Sequence, residues 1–230
     1  MASRAEAADD TPFVQRDVSL PALERSVLAA MDAVLEGFDV AVRPLRAADD
    51  TAVQQIGSSR ALRHATRMAL HQELVALLAR APATPGDLRV IAALLDIVPC
   101  IERIDAQCRV IAEATPELGD PVSATALRAG MAQLEQLVRA QVADARHAVA
   151  ARDIAIAEQL PGGAALVHSV SREIARSPAI AGPDPQARRL AAAAVVLTNA
   201  LEQISEDAVE IAEQVVAMTS GLFQELAGGT

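Results

Sequence analysis

Apolar residues recur at steps of three and four over most of the chain, a spacing that predicts long amphipathic α-helices. Short stretches rich in proline, glycine and aspartate divide this pattern into six helical segments. We expect an all-α fold, preceded by a disordered tail over residues 1–18, which show no apolar periodicity. The predicted helices run from Ser19 to about Leu45, from Asp49 and Asp50 to about Arg80, from Thr84 to Ala114, from Ser123 to Ala151, from Asp153 to Arg176 and from Pro185 to about Phe223.

Two of these segments carry explicit boundary signals. Thr84 is a good N-cap, Pro85 suits the first helical position, and Asp87 lies three residues after Thr84, so the third helix should start with a capping box. The fifth segment contains residues 161–163, Pro-Gly-Gly, which remove a hydrogen-bond donor and loosen the backbone. We therefore expect this segment to break there and to resume at Ala164.

The apolar stripe of the third helix is repeated in the sixth, displaced by 100 positions. The earlier segment ALRH, residues 61–64, is likewise matched by ALVH, residues 165–168. These matches predict two tandem three-helix bundles, over residues 19–116 and 121–224, with short connections between antiparallel helices. The two stripes are Ile97, Ile101, Ile104, Cys108 and Ile111, and then Leu197, Leu201, Ile204, Ala208 and Ile211.

Composition narrows the class of partner. The 230 residues include 30 acidic and 20 basic side chains, all of the latter arginine, and the formal net charge is −10. Such a chain repels nucleic acid and anionic membrane surfaces, and no apolar run is long enough to span a bilayer. We expect a cytoplasmic protein that is not inserted in a membrane. Cys100 and Cys108 lie too far apart along one helix to form a bridge, which predicts two reduced thiols.

Two segments resemble the PhoU family of phosphate-specific transport regulators. The segment DLRVIAALLDIVPCIERID, residues 87–105, is similar to the pattern that ends the third helix in that family. The segment ALEQISEDAVEIAEQVVAMTSG, residues 200–221, is similar to the matching part of the second repeat. The resemblance covers nearly the whole chain and implies a fold of two repeated three-helix bundles.

The resemblance also implies a function. PhoU proteins stand between a phosphate ABC transporter and a membrane sensor histidine kinase, and they restrain both phosphate uptake and the phosphate-starvation response. The expected partners are therefore the ATPase subunit of such a transporter and the kinase, and the expected activity is binding rather than catalysis.

PhoU proteins are associated with metal ions held by a Glu/Asp-x-x-x-Asp pattern, and this sequence departs from that pattern. Glu102 fills the first position on the third helix, but Ala106 stands at the fourth-following position, where only the neighbouring Asp105 could substitute. Glu202 is followed by Glu206 on the sixth helix, so an acidic stripe persists there.

On the second helix of each repeat, the acidic pair of the pattern is replaced by Arg60 and His64, and then by Ala164 and His168. Histidine is a ligand for borderline transition metals, whereas carboxylates suit hard cations. We hypothesise that the protein binds a divalent or iron-type metal ion, and we expect no other cofactor. The candidate ligands are His64, Glu102 and Asp105 in the first repeat and His168, Glu202 and Glu206 in the second.

Each of these hypotheses has an alternative in which the residues have a purely structural role or the protein has another function. Glu202, Glu206, Glu210 and Glu213 could form a solvated helix face, and the two histidines could be half-buried packing residues. The protein could also be a divergent accessory protein of another phosphate or ion transporter, or a metal-binding helical bundle. The sequence lacks the Glu-x-x-His pairs of di-iron enzymes and the nucleophile, phosphate-loop and dinucleotide motifs. Self-association into a homodimer is left open.

Overall fold

The computed structural model describes residues 19–46, 51–80, 84–118, 125–177 and 184–220, and within these ranges every regular element is helical. This confirms the all-α prediction. A 3₁₀ turn at Thr115–Leu118 follows the third helix. The α-helices are α1 (Leu20–Arg46), α2 (Ala52–Arg80), α3 (Pro85–Ala114), α4 (Thr125–Ala151), α5 (Ile154–Ala157), α6 (Leu160–Ala175) and α7 (Pro185–Ser220).

The start of α3 has the predicted capping box. The Thr84 hydroxyl accepts a hydrogen bond from the Asp87 backbone N–H at 3.1 Å, and the Asp87 carboxylate accepts one from the Thr84 backbone N–H at 3.1 Å. Two backbone donors that the helix leaves open are thus satisfied reciprocally. The Asp87 carboxylate also accepts a hydrogen bond from the Thr84 hydroxyl at 2.8 Å, and this bond, together with the one from the Thr84 backbone N–H, lowers the pKa of Asp87. The tail over 1–18, the capping residues Asp49 and Asp50, the start at Ser123 and the end at Phe223 lie outside the described residues.

The predicted break at residues 161–163 is wrong. The chain turns earlier, after the single turn of α5, and α6 then runs unbroken from Leu160. Pro161 lies in the first turn of α6, where the missing N–H would have no intrahelical acceptor in any case. Position 163 of α6 holds glycine because Gln141 packs closely against it. A Cβ atom there would lie 2.5 Å from the Gln141 side-chain nitrogen.

Each repeat closes its own three-helix core. In the first repeat α1, α2 and α3 contact one another, and in the second repeat α4, α6 and α7 do the same. Between the repeats, α3 packs along α7 in the most extensive contact among the described helices, and α1 also contacts α4. From here on, the first repeat means α1–α3 and the second repeat means α4–α7.

The two cores use equivalent positions. The predicted stripes on α3 and α7 are both fully buried, with every member at most 1% exposed. Burying one such side chain contributes roughly 1.5–3 kcal/mol, so the stripes account for much of the helix pairing. The other helices repeat at a displacement of 104 positions. Their equivalent buried pairs are Leu23 and Leu127, Val27 and Met131, Val34 and Val138, Phe38 and Val142, Ile56 and Leu160, and Leu70 and Ile174.

Polar contacts across the α3–α7 seam are related by an approximate twofold exchange. Arg103 of α3 pairs with Asp207 of α7 at 2.5 Å, and Gln107 of α3 donates a hydrogen bond to Gln203 of α7. Positions 103 and 203 are equivalent in the repeats, as are 107 and 207. The two contacts therefore join the same two positions in reversed roles, as in the self-complementary interface of a symmetric dimer.

The contact between α1 and α4 carries three ion pairs of one polarity. Every acid is on α1, while two of the arginines are on α4 and the third, Arg152, directly follows its last residue. Most of these side chains are about half exposed, so each pair contributes little stability. The pairs are Asp39 with Arg139, Asp32 with Arg146, and Glu24 with Arg152. Among the described residues, no helix has both the length and the apolarity that crossing a bilayer requires.

Candidate functional site

The six residues proposed as ligands lie in two clusters at equivalent places. The first cluster lies between α2 and α3, and the second lies between α6 and α7. In the first cluster a histidine of α2 faces a glutamate of α3, and in the second cluster a histidine of α6 faces a glutamate of α7. The His64 Nδ1 atom lies 3.5 Å from the Glu102 Oε1 atom, and the His168 Nδ1 atom lies 3.3 Å from the Glu202 Oε1 atom. The structure thus brings each predicted histidine to its predicted glutamate.

Two arginines that sequence reasoning missed complete the first cluster. Asp105 is paired with Arg63 at 2.7 Å and with Arg67 at 2.9 Å. The Arg67 guanidinium also lies 3.6 Å from Glu102. The side chains of Asp105 and Arg67 are 7% and 6% exposed, so the pairing is shielded from water and strong.

These groups line an open pocket of about 550 Å³ between α2 and α3. Arg63 also donates a hydrogen bond to the Ile56 backbone carbonyl at 3.2 Å, which fixes its guanidinium against α2. Within the cluster, two guanidinium charges are set against two carboxylate charges. The first cluster is therefore neutral when His64 is neutral.

Within the described ranges, the second cluster has no such arginines. Glu202 and Glu206 lie one turn apart on α7 and contact opposite nitrogens of His168, Glu206 at 3.6 Å from Nε2. Among the described residues, His168 is the ion-pair partner of both carboxylates. The site is accessible, since the side chains of His168 and Glu206 are 44% and 61% exposed. Its two carboxylates therefore leave it negative when His168 is neutral.

Beneath His168 the positions equivalent to the arginine–aspartate group hold uncharged residues. Val167 stands where Arg63 stands in the first repeat, Ser171 where Arg67 stands, and Ser205 where Asp105 stands. All three side chains are buried. Ser205 donates a hydrogen bond to Gln141, whereas the Ser171 hydroxyl has no hydrogen-bond partner among the described residues.

The two clusters differ in their fitness for a cation. In the first repeat a metal ion would meet the guanidiniums of Arg63 and Arg67, which already bind the carboxylates it would need, so the residues do not fit a metal. In the second repeat an accessible imidazole and two carboxylates supply nitrogen and oxygen donors, and no side-chain cation of the described part of the chain is paired with them. The two carboxylates lie on opposite sides of the imidazole, so a metal there would be held by His168 with one of them and would take its other ligands from water.

One further acidic cluster was not predicted from the sequence. Among the described residues, Cys100, Asp207 and Glu210 are the group whose metal-binding atoms all lie within 4.8 Å of one another. Arg103 occupies the middle of this group: it pairs with both carboxylates and lies 3.3 Å from the Cys100 sulfur. Burial raises the pKa of the Cys100 thiol to about 12, so it stays protonated and donates to the Asp96 backbone carbonyl.

Burial also raises the pKa of Asp207 to about 6, against the opposing effect of Arg103. The cluster is thus an ion-paired part of the α3–α7 seam. Cys108 is also a buried free thiol, consistent with its place in the apolar stripe.

The alternative that the histidines are half-buried packing residues does not hold for His64. Its side chain is 62% exposed, so it is not a packing residue of the core. A signal for the missed arginines was present in the sequence: Arg63 and Arg67 are four apart and share the helix face of Leu70 and Leu74, which is the buried face of α2.

Comparison with solved structures identifies the architecture. A crystal structure titled PhoU from Pseudomonas aeruginosa superposes with a TM-score of 0.80 at 23% sequence identity, covering 88% of this chain and 98% of that one. A phosphate transport system regulatory protein PhoU from Streptococcus pneumoniae gives 0.78 at 18% identity, covering 90% and 97%. The chain has the PhoU fold. No protein-family model and no curated protein sequence matches it.

Proposed function

We propose that this protein is a phosphate-signalling adaptor of the PhoU type. It would bind the ATPase subunit of a phosphate ABC transporter and a membrane sensor histidine kinase, and would restrain uptake and the starvation response. The observation that carries the proposal is the agreement of the helical arrangement, over 88–90% of this chain, with two PhoU structures that are themselves covered almost end to end. The resemblance of residues 87–105 and 200–221 to the family's sequence pattern supports it independently.

A binding role agrees with the chemistry of the polar clusters. The first cluster is ion-paired internally, and so is the acidic cluster around Arg103 at the α3–α7 seam. Their charged groups therefore contact one another and are not aimed at a reacting atom. Such a protein acts by preferring one conformational state of its partner. Without different affinities for two partner states, an adaptor shifts no equilibrium. We place this protein in the cytoplasm, where both expected partners present their regulated domains.

The surface that we propose for the ATPase subunit is one flank of α2. Met68, Val75 and Leu78 are 43–47% exposed and share one side of that helix by their spacing of seven and three. Exposed apolar side chains grouped in this way are typical of protein-binding surfaces.

The test is direct binding of the full chain to the purified ATPase subunit, measured by biolayer interferometry. The ATPase subunit of an unrelated ABC importer serves as the specificity control. We expect Val75→Glu to weaken binding at least tenfold. Leu62→Glu, on the other flank of α2 and 73% exposed, is the matched control and should bind like the wild type. Binding to a different transporter's ATPase alone would favour the alternative, an accessory protein of another phosphate or ion transporter.

A second candidate function is favoured by the second cluster. We propose that His168, with either Glu202 or Glu206, takes up a divalent or iron-type cation, because these donors are accessible and, among the described residues, no arginine compensates them. Metal analysis after loading with Zn²⁺ or Mn²⁺ and dialysis tests this. The wild type should retain metal that His168→Ala does not. Equal metal content would contradict the proposal.

Homodimer formation is an independent proposal. Analytical ultracentrifugation of the full chain, with and without the ATPase subunit, determines whether a second copy competes with the partner or binds alongside it. A single species with the mass of the 24.0 kDa chain at all concentrations would rule the homodimer out.

A further inference from the structure

The two repeats differ in the charged residues that surround an equivalent histidine–glutamate pair. Both place a glutamate of the last helix, α3 or α7, against a histidine of the helix before it, α2 or α6. The separation of the histidine Nδ1 atom from the glutamate Oε1 atom is nearly the same in both. In the first repeat a second carboxylate, Asp105, is buried one turn away, and burying a lone carboxylate carries a large free-energy penalty. A compensating cation is therefore required there.

The first repeat supplies that cation from its own chain. Arg63 and Arg67 bind the two oxygens of Asp105 separately, one each, and Arg67 extends on to Glu102. Both guanidiniums come from α2 and both carboxylates come from α3, so every contact ties these two helices together. A divalent ion bridging the same carboxylates would have to displace a guanidinium whose side chain is only 6% exposed.

We propose that Arg63 and Arg67 act as a built-in cation that closes the first repeat to divalent metal and holds α2 against α3 permanently. The second repeat has uncharged residues at the same positions, Val167 and Ser171, so among the described residues no guanidinium excludes a cation from solution there. The statement about the first repeat does not rest on the proposed partners. The statement about the second repeat rests on the metal proposal above, and the experiment separates the two.

The experiment isolates the first repeat by disabling the second. The background variant is His168→Ala, Glu202→Gln, Glu206→Gln, at partly or fully exposed positions that leave the core intact. Isothermal titration with Zn²⁺ and with Mn²⁺ is run on the full-length wild type and on this variant. We expect the background variant to bind neither ion above the level of the same variant carrying Glu102→Gln. Binding by the background variant that Glu102→Gln abolishes would overturn the proposal.

The reciprocal arm opens the first repeat. Arg63→Val with Arg67→Ser, added to the background, installs the residues that the second repeat carries at these positions. We expect a gain of at least tenfold in Zn²⁺ affinity, lost again on Glu102→Gln. A folded variant with no gain would show that the arginines do not exclude the cation. Arg63→Gln with Arg67→Gln keeps polar side chains of similar reach without the charge, and is scored in the same way if circular dichroism shows the first pair to be unfolded.

A wild type that binds no metal at all refutes the metal proposal for the second repeat. It leaves the exclusion of metal from the first repeat intact, because the gain on removing the arginines is measured separately.

Discussion

The first and second repeats share a backbone plan but differ in how each treats the charges beside its histidine. In the first repeat the carboxylates of Glu102 and Asp105 are matched by two arginines of α2. In the second repeat the carboxylates of Glu202 and Glu206 meet His168 alone among the described residues. The buried apolar stripes of α3 and α7 coincide, and so do six buried pairs on the other helices. The two repeats therefore share much of the packing that folding needs, while their charges at the α2–α3 and α6–α7 contacts differ.

The difference can be broken most strongly at Arg67. Arg67→Ala leaves Asp105 buried with one guanidinium fewer, and removing one partner of a buried ion pair costs about 3–5 kcal/mol of the free energy of unfolding. The equivalent change in the second repeat is Ser171→Ala. The Ser171 hydroxyl has no hydrogen-bond partner in the part of the chain that the structure describes, so the free energy of unfolding should change by less than about 1 kcal/mol. Urea unfolding measures both, and equal losses would contradict the assigned asymmetry.

Asp207 sharpens the comparison because its equivalent in the first repeat, Gln107, carries no charge. Its pKa is raised from 3.8 to about 6 in the folded protein, so the folded state binds the proton more tightly than the unfolded state does. This contribution to stability is fully present below pH 3.8 and is lost as pH rises through about 6. We expect the wild type to lose up to about 3 kcal/mol relative to Asp207→Asn between pH 4 and pH 7.

The measurement is urea unfolding at a series of pH values, with Gln107→Asn as the control. The control should differ from the wild type by a constant amount over this range. A difference between the wild type and Asp207→Asn that does not vary with pH would show that Asp207 titrates alike in the folded and unfolded states.

Adjacent glycines test the packing peculiar to the second repeat. Gly163→Ala places a Cβ 2.5 Å from the Gln141 amide nitrogen, and this contact should cost about 1–3 kcal/mol. Gly162→Ala meets nothing within 4 Å in the same helix and should stabilise by about 0.5–1 kcal/mol. Thermal unfolding of the two variants should shift in opposite directions, and a shift in the same direction would place Gln141 elsewhere.

The ion pairs between α1 and α4 should contribute least. Asp39 and Arg139 are both 46% exposed, so Arg139→Ala should lower the free energy of unfolding by about 1 kcal/mol or less. The double variant with Asp39→Ala measures their coupling energy in a thermodynamic cycle. A coupling energy well above 1 kcal/mol would make these pairs a real determinant of how the repeats associate.

Much of this fold could be predicted from local signals. The stripe from Ile97 to Ile111 and its copy predicted the buried faces of α3 and α7, and the Thr84–Asp87 pair predicted the start of α3, because both patterns act within one helix. The expected break at Pro161 was wrong because proline at a helix start is tolerated, and because the fit of Gly163 against Gln141 depends on a helix twenty residues away in sequence.

The candidate site was predicted only in part. The pairing of each histidine with its glutamate followed from equivalent places in the two repeats. The pairing of Asp105 with Arg63 and Arg67 joins residues about forty positions apart, and no spacing rule connects them. The sequence therefore offers Asp105 as a metal ligand, and only the structure shows its carboxylate paired with two arginines.

The central claim is that only the second repeat responds to a cation from solution. Hydrogen–deuterium exchange of the wild-type chain, with and without saturating Zn²⁺, tests it in one measurement on both repeats. We predict slower exchange in α6 and in the part of α7 around Glu202, and unchanged exchange in α2 and in α3 around Glu102. Protection of α2 by Zn²⁺ would contradict the account.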